Sequence, residues 1–97
     1  MRREEVITRL KAHEAELRNL GVRHLYIFGS TARGTARDNS DVDLFFDYEK
    51  GRFGLFELME VKEAASKILG RDADVLTRDS IHTLLRQGIE ADAFPVF

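Results

Sequence analysis

Two aspartates, Asp41 and Asp43, stand one residue apart in the run Ser40-Asp41-Val42-Asp43-Leu44. Side chains on a β-strand alternate between faces, so a strand here puts both carboxylates on one face and turns Val42 and Leu44 into a core. Upstream, the apolar run Tyr26-Ile27-Phe28 breaks at Gly29-Ser30, and Thr31-Ala32-Arg33-Gly34 follows. Paired hard oxygens just after a glycine–serine turn are the ingredients of a magnesium–nucleotide site. A helix opening straight after a strand offers unpaired N–H groups and the positive end of its dipole to phosphate. Ser30 adds a hydroxyl, and Gly29 removes the Cβ that would bar close approach. Taken alone, this is also an ordinary strand–turn–helix with Ser30 as a plain N-cap. The aspartate pair that follows shifts the reading to chemistry. Arg33, one turn after Ser30 on roughly the same helix face, is placed either to touch a phosphate or to pair with an acidic neighbour.

The elements that must position these residues are legible as periodicities. From about Arg3 to Leu20, Val6, Leu10, His13, Leu17 and Leu20 recur at helical spacing, with Glu4 and Glu5 suiting the first turn. His13 on that stripe reads as a half-buried, hydrogen-bonded histidine rather than a catalytic one. His24 to Phe28 reads as a first strand, Ser30 to Ala36 as a short helix, and Asp41 to Tyr48 as a second strand. The Leu44-Phe45-Phe46 run predicts burial on both faces of that strand. A polar turn, Arg37-Asp38-Asn39-Ser40, leads into it. Lys50 to Gly54 is a connecting loop; Phe53 tucks onto the core, or with Arg52 contacts a nucleotide or partner. Leu55 to Leu69 is a clear amphipathic helix, with Leu55, Leu58, Met59, Ala65, Ile68 and Leu69 as its apolar stripe and Val61 and Ala64 widening it. Asp72 to Thr77 reads as a third strand. A last helix runs to about Asp92, capped by Asp79 or Ser80, with Ile81, Leu84, Leu85 and Ile89 as its stripe. Pro95 bars helix in the tail Ala93 to Phe97, which packs on the sheet or on a partner. The order helix, strand, short helix, strand, helix, strand, helix predicts an α/β sandwich, a small mixed β-sheet with packed helices.

Composition bounds the rest. Ninety-seven residues with 43% hydrophobic content make one domain, 1–97, able to bury a core but with no room for a separate substrate domain. The net charge of −2 argues against a nucleic-acid scaffold, and nucleic acid is not expected as direct substrate. No cysteine is present, so disulfide and zinc–thiolate chemistry are excluded. No apolar run approaches the roughly 18 residues of a membrane span, and the expectation is a soluble cytoplasmic protein without membrane contact.

The Gly29-Ser30-Thr31-Ala32-Arg33-Gly34 and Ser40-Asp41-Val42-Asp43-Leu44 pair resembles the motif of the DNA polymerase β-like nucleotidyltransferase superfamily. In shortness, the chain is most similar to the minimal nucleotidyltransferases, the MNT proteins that are paired with helical HEPN toxins as their antitoxins. The likeness covers the chain from about Leu20 onward. It implies a nucleotidyltransferase fold in which Asp41 and Asp43 adjoin a third carboxylate at the head of the next strand. Asp74-Val75-Leu76 matches that position, with Asp72 on the same face as the alternative. It further implies two Mg2+ ions, one on Asp41, Asp43 and the triphosphate, the other on Asp41, Asp43, Asp74 and the attacking hydroxyl. Gly29 and Ser30, with Arg33, would hold the nucleotide. The implied activity transfers AMP from ATP to a hydroxyl, expected to be a tyrosine of the cognate HEPN toxin. Two other readings stay open: an antitoxin or subunit that silences its partner by binding alone, and a transferase acting on a small molecule or RNA end. Homo- or hetero-oligomers are compatible with all three.

Overall fold

The computed structural model describes all residues except Asp38, Lys50 and Arg52. The contact suggested for Arg52, and the places of Asp38 and Lys50 in their turns, lie outside the described residues. The elements are α1 (Arg3–Ala12), α2 (Glu14–Asn19), β1 (Val22–Phe28), α3 (Gly29–Arg33), β2 (Val42–Tyr48), α4 (Leu55–Leu69), β3 (Ala73–Thr77), α5 (Thr83–Asp92) and β4 (Phe94–Pro95). A 3-10 turn, Arg78–Ser80, joins β3 to α5.

The strands form one mixed sheet in the order β3-β2-β1-β4. β2 and β3 are parallel, which requires a crossover, and α4 supplies it. β1 runs antiparallel to both β2 and β4. One face of the sheet carries Leu25, Ile27, Val42, Leu44, Phe46, Ala73 and Val75. It packs on Val6 and Leu10 of α1, Leu17 of α2, and Val61, Ala65 and Leu69 of α4. Each fully buried Leu or Phe of this set contributes about 1.5–3 kcal/mol, and together they fix the sheet's register. The opposite face carries Tyr26, Phe28, Asp43, Phe45, Asp74 and Leu76. Phe45 is buried on that side, stacked on Tyr26 at 4.8 Å between ring centroids and tilted against Phe28 at 5.7 Å. The expected two-sided burial of Leu44-Phe45-Phe46 is therefore present.

Several boundaries differ from expectation. The N-terminal helix is broken at His13, whose backbone leaves the helical region (φ −111°, ψ 23°). α1 packs on α4 while α2 packs on β1, and one straight helix cannot follow both surfaces. His13 is exposed rather than half-buried, with Nδ1 3.1 Å from Glu16 Oε2. In α4 the buried side is Val61, Ala65 and Leu69, whereas Leu55, Phe56 and Met59 are 71, 80 and 59% exposed. Met59 lies two residues from Val61, about 200° around the helix, so both cannot face the core. The cap of α5 is His82, whose Nδ1 accepts the Leu84 N–H at 3.2 Å, not Asp79 or Ser80. Leu84 and Leu85 of α5 are exposed, while Ile81 is buried. Phe53 tucks against Phe46 and Tyr48, with centroids 5.2 and 4.8 Å away. The tail packs on the sheet: β4 pairs with β1, and the Val96 N–H reaches the Leu25 carbonyl at 2.7 Å. Among the described residues no helix is long and apolar enough to cross a membrane.

Candidate active site

Asp43, the second residue of β2, is the point on which the site converges. Its register partner on one side is Asp74 of β3, and on the other Phe28, the last residue of β1. Paired residues on neighbouring strands project to the same face roughly 5 Å apart, so the Asp43 and Asp74 side chains stand abreast. Asp41 directly precedes β2 and is exposed, while Asp43 is half-buried. Burial lifts the Asp43 carboxyl above the usual carboxylate range, and the charges of Asp74 and then Asp41 push it further; Arg33 pulls the other way. The three aspartates therefore share one electrostatic neighbourhood. Asp72 directly precedes β3, and its carbonyl accepts the Val42 N–H at 3.2 Å and so opens the β2–β3 ladder.

Gly29 adopts φ +73°, a left-handed conformation that disfavours any Cβ, and a Cβ there would collide with Asp43 Oδ2. The glycine thus makes room for a carboxylate of the neighbouring strand, a constraint separate from phosphate approach. Helix α3 is only five residues long and depends on tertiary anchors. Thr31 and Ala32 are buried beneath it. Arg3 Nη1 donates to the Ala32 carbonyl at 2.8 Å while its guanidinium sits 4.0 Å above the Phe94 ring. Arg33 points outward, its Nη1 3.9 Å from Asp92 Oδ2 with both side chains about half exposed. The acidic-neighbour alternative is thus realised, loosely. A cavity of about 400 Å3 adjoins α3, lined in part by Arg3, Thr31, Arg33 and Gly34; the aspartates lie outside its lining. The approach to Asp41 is held by Ser40, whose Oγ accepts the Arg37 N–H at 2.9 Å and whose carbonyl accepts from Arg71 at 3.3 Å.

Arg78 had no signal in the sequence. Its guanidinium donates to both oxygens of Asp47 at 2.7 and 3.1 Å, lies 3.3 Å from Glu90, and covers the Tyr26 and Phe45 rings at 4.8 and 5.1 Å. It ties the strand carrying Asp43 to the segment after β3 and to α5. Its partners are distant in the chain, so only the fold reveals it.

Asp41, Asp43 and Asp74, near the glycine–serine turn, offer only oxygen donors. Among the described residues no three acidic or histidine side chains are close enough to enclose an ion. The mutual repulsion registered at Asp43 is nonetheless what a divalent cation would relieve.

Residues 7–96 match the nucleotidyltransferase domain family. The chain belongs to that family. Protein adenylyltransferase MntA of Thermococcus cleftensis is similar to this nucleotidyltransferase, 38% identical over 79 residues that span 80% of this chain and 79% of the relative. A solved chain assigned as a minimal nucleotidyltransferase superposes with a TM-score of 0.84 at 32% identity, covering 98% of this chain and 96% of that one. A chain from the complex of a tri-AMPylated Shewanella oneidensis HEPN toxin with its MNT antitoxin shares the fold, with a TM-score of 0.65 at 18% identity over 90% of this chain and 68% of that chain. This nucleotidyltransferase is thus of the minimal type, and its fold is the one expected.

Proposed function

We propose that this nucleotidyltransferase transfers AMP from ATP to a side-chain hydroxyl, expected to be a tyrosine, of a cognate HEPN toxin and thereby acts as its antitoxin. The observation that carries the reading is the row Gly29–Asp43–Asp74: a carboxylate pair in register across parallel strands, wedged against the turn that opens α3. The 38% identity to a protein adenylyltransferase supports the protein acceptor, and the fold shared with a chain of an AMPylated toxin complex supports the partner.

In this reading Gly29, Ser30 and Arg33 bind the triphosphate, Arg33 by charge and Ser30 by its hydroxyl. Asp41, Asp43 and Asp74 would hold Mg2+, which when bound neutralises phosphate and carboxylate charge. The acceptor oxygen forms its bond to the α-phosphorus as the bond to the β-phosphate bridging oxygen breaks, and pyrophosphate departs. Asp74, at the strand edge, orients the hydroxyl, and the released proton passes through it to water. Asp43, already half-buried, keeps water from one side of this centre.

The test uses ATP labelled at the α-phosphate, Mg2+, the purified protein and a co-encoded helical partner. Transfer of label by the native chain and not by an Asp41→Asn, Asp43→Asn double variant supports the reading. Tight binding of the partner with no label transferred would replace it with silencing by occlusion.

A further inference from the structure

We propose that the outer edge of β3 is the acceptor dock: an extended segment of the acceptor adds to the sheet as a fifth strand, bringing its hydroxyl residue opposite Asp74 and an apolar residue two positions away onto Leu76. This rests on the transferase reading above and specifies how the acceptor is held. β3 is a terminal strand of the sheet. The parallel ladder begins with the Val42 N–H on the Asp72 carbonyl, so it uses the backbone groups of Asp72, Asp74 and Leu76 and leaves those of Ala73, Val75 and Thr77 facing outward. Two of the outward groups are closed at the ends of the strand. Ser66 Oγ accepts the Ala73 N–H at 3.1 Å, and Ser80 Oγ donates to the Thr77 carbonyl at 2.8 Å. Between these stoppers the Ala73 carbonyl, both groups of Val75 and the Thr77 N–H have no partner among the described residues, an opening centred on Val75. The stoppers limit indiscriminate pairing of the edge, while the gap is sited beside Asp74.

The side chains agree with this register. Asp74 and Leu76 share the open face, and Leu76 is 39% exposed, while Val75 between them is turned inward and 7% exposed. An incoming strand pairing through its backbone with Val75 has its two flanking side chains opposite Asp74 and Leu76. Main-chain hydrogen bonds would supply affinity and the alternating side chains selectivity, which is the logic of strand addition. The acceptor class that follows is a hydroxyl residue with an apolar residue at two-residue spacing, in a segment able to become extended.

The test compares two peptides as AMP acceptors with labelled ATP and Mg2+: Ala-Ala-Ala-Leu-Ala-Tyr-Ala-Leu-Ala-Ala-Lys, and the same peptide N-methylated on the alanines flanking the tyrosine. A Leu76→Asp variant is assayed in parallel against the peptide and against the full-length acceptor. Expected are a drop of about tenfold in kcat/KM on N-methylation, a rise of about tenfold in acceptor KM for Leu76→Asp with ATP KM unchanged, and slowed amide exchange at Val75 on peptide binding. Transfer that ignores N-methylation, or full-length acceptor KM unmoved by Leu76→Asp, overturns the dock and leaves the transferase standing. A dimer of the free protein that Leu76→Asp dissociates also overturns it, since the edge then belongs to a second copy. Absence of ATP binding by the native chain is the separate signature of a failed transferase reading, and the dock falls with it.

Discussion

Gly29 and Gly34 bracket α3 with nearly the same backbone, φ +73° and +77°, but in different surroundings. A Cβ on Gly34 meets nothing within 4 Å, whereas a Cβ on Gly29 collides with Asp43 Oδ2. Replacing either by alanine costs about 1–2 kcal/mol for the left-handed conformation. At Gly34 that is the whole effect, a loss of roughly 4–16 °C in Tm. At Gly29 the Asp43 side chain must also leave its rotamer or α3 must shift, adding about 0.5–1.5 kcal/mol. Gly29→Ala should therefore lose roughly 6–28 °C in Tm. The larger separation is in catalysis. Displacing one carboxylate by about an ångström costs on the order of 100-fold in rate, so Gly29→Ala should lose at least that, while Gly34→Ala stays within about threefold of native. Calorimetry gives the stabilities, and label transfer at saturating ATP, below both unfolding transitions, gives kcat. Equal losses in the two variants would refute the argument that Gly29 is dictated by Asp43.

Because the folded protein holds the Asp43 proton above the ordinary value of 3.8, this group's ionisation opposes folding. Its contribution is most favourable below about pH 3.8 and is lost as pH climbs through the raised value, so without divalent cation Asp43→Asn should gain in Tm relative to native as pH rises from 4 to 7. That variant should also lose nearly all transfer activity, which is checked in the same preparation. Arg78→Lys keeps the charge but not the fork onto Asp47; urea denaturation should show a loss of about 1–3 kcal/mol. Phe56→Ser should leave Tm within about 2–4 °C of native, because an 80% exposed side chain contributes little to the core; a larger fall would mean that the face is covered in the isolated chain.

The carboxylate pair and the glycine were legible because they depend on local rules: a period of two along a strand, and a break in an apolar run. The register that pairs Asp43 with Asp74 is not local. It is set by how α4 lays β3 beside β2, and it came into view only through a resemblance to known proteins. Helix faces were read less well. Periodicity finds that Leu55, Met59, Leu84 and Leu85 recur on a stripe but not whether a neighbour covers them; of the α4 stripe Ala65 and Leu69 are buried, with Val61 from its margin, while Leu55 and Met59 stay exposed. The break at His13 left no trace, since Leu10 and Leu17 keep helical phase across it and enter the same core, while α1 packs on α4 and α2 on β1. Arg78 and the His82 cap are choices among many arginines and polar residues that only contacts distant in sequence decide.

The pairing of β4 with β1 has a kinetic consequence. It joins the two strands most separated along the chain, so its loop-closure entropy is the largest in the sheet and its formation should come late. Until then β1, which leads directly into Gly29, is a bare hydrophobic border with Leu25 lacking its Val96 and Phe97 partners. Such an intermediate would recruit other chains through that border. Yield on refolding should therefore fall with protein concentration, and Pro95, which cannot donate a ladder hydrogen bond, would limit how far any stacking continues beyond β4.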